Sequence, residues 1–476
     1  MEGRVVAVQC SSTTCRTRLP FRFGITTLLQ ADLVVARVEA EFEDGQRVSG
    51  YASDLLVPKW FDKNPATSAA QDRAELVASI GRAASAYREA GNGNVFEIWQ
   101  RAHQSAVVRH PGIELVDGFG VALLERALMD AACRSAGISF FDALRGNLFG
   151  FEPGRVHPEL ANFELAECLG PPLERVTLRH TVGLADLLRR DAAAEEPGPD
   201  DGLPISLDED IRTYGLSCFK LKISGEPEAD RTRLCEIGRV VQEAGVPAPR
   251  FTLDGNEQIE DLRQLIALMD DLEADPDGRA ILDGLLYIEQ PLPRQASLDP
   301  EATRDLAGLS RWAPVLIDEA DASIEAFPRA LELGYRGVSV KNCKGVFRAL
   351  LNRGLCESRG GGAFQSSEDL TNLPVLALQQ DLALLSALGL EHTERNGHHY
   401  FNGLAHLPEV EAQAALRHHP DLYRENAGAI QLRIEAGQLA LGSLKGPGFG
   451  YATPVAMDAR APLTRLEGDA RGDLAS

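Results

Sequence analysis

Lysine is scarce in this chain of 476 residues: seven Lys stand against 41 Arg. Basic charge is also in short supply, with 48 Lys+Arg facing 70 Asp+Glu for a formal net charge of −22. A balance this acidic excludes nucleic acid as the main partner, because phosphate binding needs a basic face. An anionic small molecule would need local cations or a metal to be held. The eight Cys (10, 15, 133, 168, 218, 235, 343 and 356) include no CxxC pair. Such scatter excludes a zinc-ribbon site or disulfide frame and fits reduced thiols. No apolar run reaches the length of a membrane span. The opening Met1-Glu-Gly-Arg has no apolar h-region, so a cytoplasmic location is expected.

What is present is placed unevenly. Four of the seven Lys fall in two short apolar segments, Phe219-Lys-Leu-Lys-Ile and Val338-Ser-Val-Lys-Asn-Cys-Lys. Arg serves wherever a plain surface cation is enough. Lys differs in that its surroundings can make it neutral. These segments belong to a repeat. Between about residues 215 and 400, short apolar runs end in a charged residue and are followed by stretches with i, i+3, i+4 apolar spacing. The strand-like runs are Ser217–Ile223, Arg250–Asp254, Leu285–Gln290, Pro314–Asp318, Gly337–Lys341, Ala363–Ser367 and Gly389–His392, and Val176–Gly183 supplies a first. Eight βα units predict an α/β fold, a closed (β/α)8-type barrel over residues 166–410, with an open doubly wound sheet as the alternative. Residues 1–165 read as an α+β domain, 411–458 as a segment returning to it, and 459–476 as a loose tail. The Pro-containing, acid-rich stretch Ala192–Gly202 reads as a loop or insertion.

Asp254, Glu289 and Asp318 end three successive strands. Three converging acids repel one another unless a cation sits between them, and all-oxygen ligation suits a hard ion, Mg²⁺ first with Mn²⁺ as substitute. Lys220 and Lys222 share one face of the strand before these acids, and Lys341 ends the strand after them. In a closed barrel those strands stand on opposite sides of the mouth. Each Lys must be neutral to act as a base, a state favoured by desolvation, a second Lys and a divalent cation.

Five segments carry a resemblance: Phe219-Lys-Leu-Lys-Ile-Ser-Gly, Leu253-Asp-Gly-Asn-Glu, Tyr287-Ile-Glu-Gln-Pro-Leu, Leu316-Ile-Asp-Glu-Ala and Val338-Ser-Val-Lys-Asn-Cys-Lys-Gly. Together they resemble the enolase superfamily in its mandelate racemase/muconate-lactonizing-enzyme branch, a group that pairs a Lys or His base with Mg²⁺. Leu123-Leu-Glu-Arg-Ala-Leu-Met-Asp-Ala-Ala resembles the helix closing that group's N-terminal capping domain, and Pro20-Phe-Arg-Phe-Gly-Ile-Thr-Thr its specificity loop. The resemblance implies that Asp254, Glu289 and Asp318 bind Mg²⁺. Lys222 would remove the proton α to a substrate carboxylate, with Lys220 assisting it. Lys341 would return a proton or stabilise the enediolate from the other face. Asn256 and Glu319 would orient the metal ligands. It implies an isomerase on a small carboxylic acid, a racemase, epimerase or cycloisomerase, assembled as a homo-oligomer.

Departures narrow this. No His ends the seventh strand, where Phe364-Gln-Ser-Ser-Glu-Asp stands, which disfavours the His-Asp dyad of mandelate-racemase-like members. The eighth-strand stretch Leu390-Glu-His-Thr-Glu-Arg-Asn lacks the Asp-x-Asp that resembles dipeptide epimerases, so an amino-acid substrate loses support. Glu368, Asp369 and Glu391 are expected to contact substrate, His392 is a further candidate, and Phe21, Phe23, Ile25 and Trp60-Phe61 could supply an apolar wall. Lys344 is expected to face outward, and His398-His399 to be a surface pair. The alternatives are an acid-sugar dehydratase working by β-elimination and, further off, a Schiff-base barrel lyase or a non-catalytic barrel.

Overall fold

The structure, a computed structural model, describes residues 1–24, 26–107, 113–190, 198–426 and 428–463. The chain opens with three antiparallel strands, β1 (Glu2–Phe23), β2 (Thr26–Phe42) and β3 (Arg47–Leu56). A two-residue strand, β4 (Gly93–Asn94), joins the edge of β1. Helices α1 (Pro58–Phe61), α2 (Ala69–Glu89), α3 (Val95–Ala106) and α4 (Glu114–Ala136) follow the sheet. The start of α2 is fixed by a Ser68–Gln71 capping box and that of α3 by Asn94–Glu97, each satisfying backbone donors the helix leaves open. Gly50 lets β3 lie directly on α4, since a Cβ there would collide with the backbone of Ala127 and Ala131.

A closed parallel barrel follows. Its strands are β5 (Arg175–Val182), β6 (Cys218–Lys222), β7 (Arg250–Asp254), β8 (Leu285–Glu289), β9 (Val315–Ile317), β10 (Gly337–Val340), β11 (Phe364–Ser367) and β12 (His392–Arg395). Each pairs with the next, and β12 closes on β5 through His392–Arg395 against Thr177–His180. The open doubly wound alternative is thereby excluded. The eighth strand starts at His392, three residues beyond the expected Gly389: that glycine has φ 70° and caps the helix Leu376–Leu388. Glycine is favoured in this left-handed terminal position because it has no Cβ to clash.

The C-terminal residues divide between the two units. Strands β13 (Tyr423–Asn426) and β14 (Ala429–Leu432) form a hairpin, and β15 (Gln438–Ala440) adds antiparallel to β5 of the barrel. Within the expected returning segment 411–458, the strands between residues 423 and 440 thus pair with one another and with the barrel. Contact with the first unit is made further on. Phe449 stacks on Phe140 at 3.7 Å between centroids, and Tyr451 Oη donates to Asp130 at 2.5 Å. Part of the expected loose tail is ordered, with β16 (Ala461–Pro462) pairing with β1. Residues 464–476 lie outside the described residues, as do 192–197 of the expected loop.

The β1–β2 hairpin reaches over the C-terminal mouth of the barrel. Phe21 near its tip stacks on Tyr400 at 4.2 Å, and Arg18 donates to the carbonyl of His399 at 2.7 Å. Deeper in the seam, buried Arg126 of α4 pairs with Asp54 of β3 and donates to Gln380 Oε1 at 3.3 Å.

Candidate active site

Strand alternation decides what faces the barrel axis. On β6, Lys220 and Lys222 point inward, while Phe219 and Leu221 are buried on the helix side. The Lys220 ammonium lies 2.9 Å from Asp254 Oδ2, 2.7 Å from Glu289 Oε2, 2.8 Å from Glu368 Oε2 and 2.9 Å from Glu394 Oε2. Burial opposes its charge, but these four carboxylates outweigh burial and hold the amine well above its ordinary pKa. Lys222 Nζ donates to Asp254 Oδ2 at 2.5 Å. Across the mouth, Lys341 Nζ donates to Asp318 Oδ2 at 2.6 Å and stands 4.5 Å from the centre of the Trp60 ring. Lys341 is also held up, burial being overcome chiefly by Asp318. The expected lowering of the lysine pKa values is thus not the state of Lys220 or Lys341 here: their ion pairs with the acids outweigh desolvation.

The acids are oriented by their neighbours. Asn256 N donates to Asp254 Oδ1 at 2.8 Å, and Asn256 Nδ2 to Glu319 Oε1 at 3.4 Å. Gln290 Oε1 accepts from the backbone of Asp318 and Ala320 at 2.8 and 3.0 Å, fixing the turn that carries Asp318. Asn256 and Gln290 take φ values of 40° and 37°, a left-handed backbone region that costs energy for residues with a Cβ. Gly255 between them in space must be glycine, because a Cβ would come within 2.8 Å of Pro291 Cα. Burial, then Asp254 and Glu368, push the Glu289 carboxyl well above its usual range. Its Oε2 is buried without a well-aligned hydrogen bond. Three buried carboxylates gathered at the barrel mouth, each paired with a lysine, are an all-oxygen donor set that fits a hard divalent ion.

Lys344, expected to face outward, is buried. Residues Asn342–Lys344 make a 3₁₀ turn that swings it back beneath Asp318. Its ammonium donates to Ser339 Oγ at 2.6 Å and the Asp318 carbonyl at 2.5 Å, and lies 3.2 Å from Asp318 Oδ1. With Lys341 it holds the Asp318 carboxyl far below its usual range despite burial.

The substrate-contact candidates separate. Phe23 and Asp369 line a cavity with Phe21, Val57, Trp60, Lys222, Asn256, Lys341 and Glu394. Burial pushes the Asp369 carboxyl up to about 6. Glu368 does not line this cavity. It lies deeper in the barrel, between Arg179, Lys220 and the Tyr287 hydroxyl, which donates at 2.6 Å. His392 sits at that lower level too, 2.7 Å from Arg179 Nη1. Glu391 is exposed, ahead of β12 at the far end of the barrel, and so is removed from the site. Ile25 lies outside the described residues. Sequence reasoning missed Glu394, which holds Lys220 and accepts from Asp369 N at 2.8 Å. The helix-capping Gly389 is the signal that would have placed β12 later and brought Glu394 to the mouth. His398 and His399, expected at the surface, are buried instead.

A closed barrel with an antiparallel cap over its mouth is a fold this chain shares with solved muconate lactonizing enzymes and with an amino-acid-derivative racemase. A muconate lactonizing enzyme from Pseudomonas fluorescens, complexed with muconolactone, matches at a TM-score of 0.61 and 16% identity, covering 95% of this chain and 97% of its own. An enolase from Bradyrhizobium complexed with magnesium and mandelic acid matches at 0.61 and 15%, covering 98% and 99%. An N-succinyl Arg/Lys racemase from Bacillus cereus matches at 0.61 and 13%, covering 95% and 96%. No family model matches the chain, and no curated protein matches it.

Proposed function

We propose that the protein is a divalent-metal-dependent isomerase that removes and returns a proton α to the carboxylate of a small organic acid, by way of an enediolate. One observation carries this reading: Lys222 from the second barrel strand and Lys341 from beyond the sixth line the same cavity. Inverting a carbon by moving a proton off one face and onto the other needs a proton-transfer group on each face. Racemisation, epimerisation or cycloisomerisation would all use that pair. Neighbours of the same fold include a racemase and a muconate lactonizing enzyme.

Asp254, Glu289 and Asp318 would hold Mg²⁺, or Mn²⁺ in its place. When bound, that ion supplies a Lewis acid for the substrate carboxylate and offsets the enediolate's charge. Lys222 takes the α-proton. Lys220, fixed by Glu289, Glu368 and Glu394, keeps a permanent positive charge beneath the reacting carboxylate. Lys341 delivers a proton on the opposite face, its Nζ positioned by Asp318 and the Trp60 ring. Asn256 and Glu319 keep the first acid aimed inward. Phe21, Phe23 and Trp60 exclude water above the lysines. Asp369 and Glu394 face the part of the substrate beyond the carboxylate.

The test is incubation with Mg²⁺ in D₂O of acid sugars, N-acyl amino acids, dipeptides and lactone-forming dienoates, followed by mass spectrometry. Deuterium entering the α-position of at least one acid, and loss of net turnover in both Lys222→Ala and Lys341→Ala, is the expected result. A keto acid released in place of exchange would instead establish the dehydratase reading. Net turnover that persists in both variants would refute the assigned bases.

A further inference from the structure

On β5, Arg179 and Thr181 face the barrel interior, where they bond Glu368 and Glu394. His180 between them faces the helix layer. There it meets Asp210, on the helix Leu207–Tyr214, and His398, on the short helix Gly397–Tyr400 that follows the last barrel strand. One donor atom from each of His180, Asp210 and His398 lies within 4.8 Å of the other two, and all three residues are buried.

The contacts within this group leave donors unspent. His180 Nδ1 is 2.9 Å from His398 Nε2, and His180 Nε2 is 3.7 Å from Asp210 Oδ2. His399 Nδ1 comes within 2.8 Å of the same carboxylate oxygen. Yet neither Asp210 oxygen receives a well-aligned hydrogen bond, and His398 Nδ1 has none. Asp210 is fully buried; His399 and His180 stand near its Oδ2, while Oδ1 has no partner among the described residues, and an unpaired buried oxygen of that kind is costly. Two imidazoles and one carboxylate suit a borderline dication rather than Mg²⁺. Bonds of about 2.0–2.1 Å in a tetrahedron set donor atoms about 3.3 Å apart, so donor atoms that now stand within 4.8 Å of one another close by up to about 1.5 Å when the ion binds. A cavity lined by His398, Tyr214, Asn372 and Arg395 adjoins the group and offers room for a water as fourth ligand.

We infer that His180, Asp210 and His398 form a second metal site, separate from the barrel mouth, that takes a first-row transition dication, Zn²⁺ foremost. It joins the first barrel strand, the helix after it and the segment after the last strand, and so clamps the seam where the barrel closes. The same segment carries the landing of the cap hairpin: His399 receives Arg18 and Tyr400 receives Phe21. The ion is a structural clamp, and its ligands do not touch the cavity that holds Lys222 and Lys341.

The full-length protein, loaded with Zn²⁺ and desalted into Mg²⁺ buffer, is analysed for bound zinc by mass spectrometry. Asp254→Asn serves to remove the barrel-mouth acids as a source of binding. About one zinc per chain retained in the wild type and in Asp254→Asn, and lost in Asp210→Asn, is the expected outcome. Co²⁺ loaded into Asp254→Asn should give the intense visible absorption of a tetrahedral site with nitrogen ligands. Equal zinc in wild type and Asp210→Asn would overturn the inference, as would a wild type that retains none. Should Asp210→Asn fail to fold by circular dichroism, the cobalt spectrum decides: a colourless Asp254→Asn protein would show that the histidines share protons only.

Discussion

Lys220 carries an unusual load for one side chain. Its ammonium touches four carboxylates from four strands or strand ends, and no water reaches it. Removing one partner of a buried ion pair leaves the others uncompensated, which costs about 3–5 kcal/mol. Lys220→Met keeps the length of the stem and deletes the charge. Urea denaturation of this variant should show a loss of that size, partly recovered by adding Mg²⁺, because a dication bound at Asp254 and Glu289 replaces some of the missing charge. A loss under about 1 kcal/mol, the range of an exposed pair, would mean that the four acids take up protons instead and that Lys220 does not organise them. The same reasoning explains why single residues were hard to assign from sequence. Lys344 follows Lys341 by three positions, and only the 3₁₀ turn Asn342–Lys344 brings both ammonium groups onto Asp318.

At the level of elements, legibility followed locality. The strand ends carrying Lys222, Asp254, Glu289 and Asp318 were readable because each sits in a short apolar run whose period-two pattern is local. Strand β12 starts three residues beyond the apolar run Gly389–His392 because Gly389 caps the preceding helix, and that later start is what brings Glu394 to the mouth. Strand β1 runs on through Ser11-Ser-Thr-Thr-Cys-Arg-Thr-Arg, a polar stretch with no alternation. Its order comes from pairing with β2 and with Ala461–Pro462, nearly the whole chain away. The hairpin so formed bears directly on substrate entry. The cavity beneath it is roofed by Phe21, Phe23 and Trp60, so entry of an organic acid is expected to go with lifting of the tip. Phe21 holds the tip down by stacking on Tyr400. Losing an aromatic contact worth about 0.5–1.5 kcal/mol should favour the open tip. In Phe21→Ala, limited proteolysis should cut near residues 20–27 faster than in the wild type, and KM for an identified substrate should rise up to about tenfold with kcat changed less. Unchanged cleavage would show that the tip is already free.

Across the whole molecule, the joint between cap and barrel is polar as well as apolar, and one group there ties stability to pH. Glu125 of α4 accepts the backbone N–H of Phe347 at 2.6 Å, at the start of the barrel helix Val346–Arg359. Burial pushes its carboxyl up to about 8, against the lowering effect of those backbone donors and Arg126. An acid whose pKa is higher folded than unfolded holds its proton more tightly in the native state. Its contribution is therefore fully present below the unfolded value near 4.5 and is lost as pH rises through about 8. At about 1.4 kcal/mol per pKa unit, the loss over that window is on the order of 5 kcal/mol. Glu125→Gln keeps the acceptor and cannot ionise. Urea denaturation of both proteins at pH 5, 6.5 and 8 should show the variant gaining on the wild type at each step upward, with most of the gain made by pH 8. Parallel stability curves over that range would place the Glu125 titration outside it and would mean that the helix start at Val346 stabilises the carboxylate more than burial opposes it.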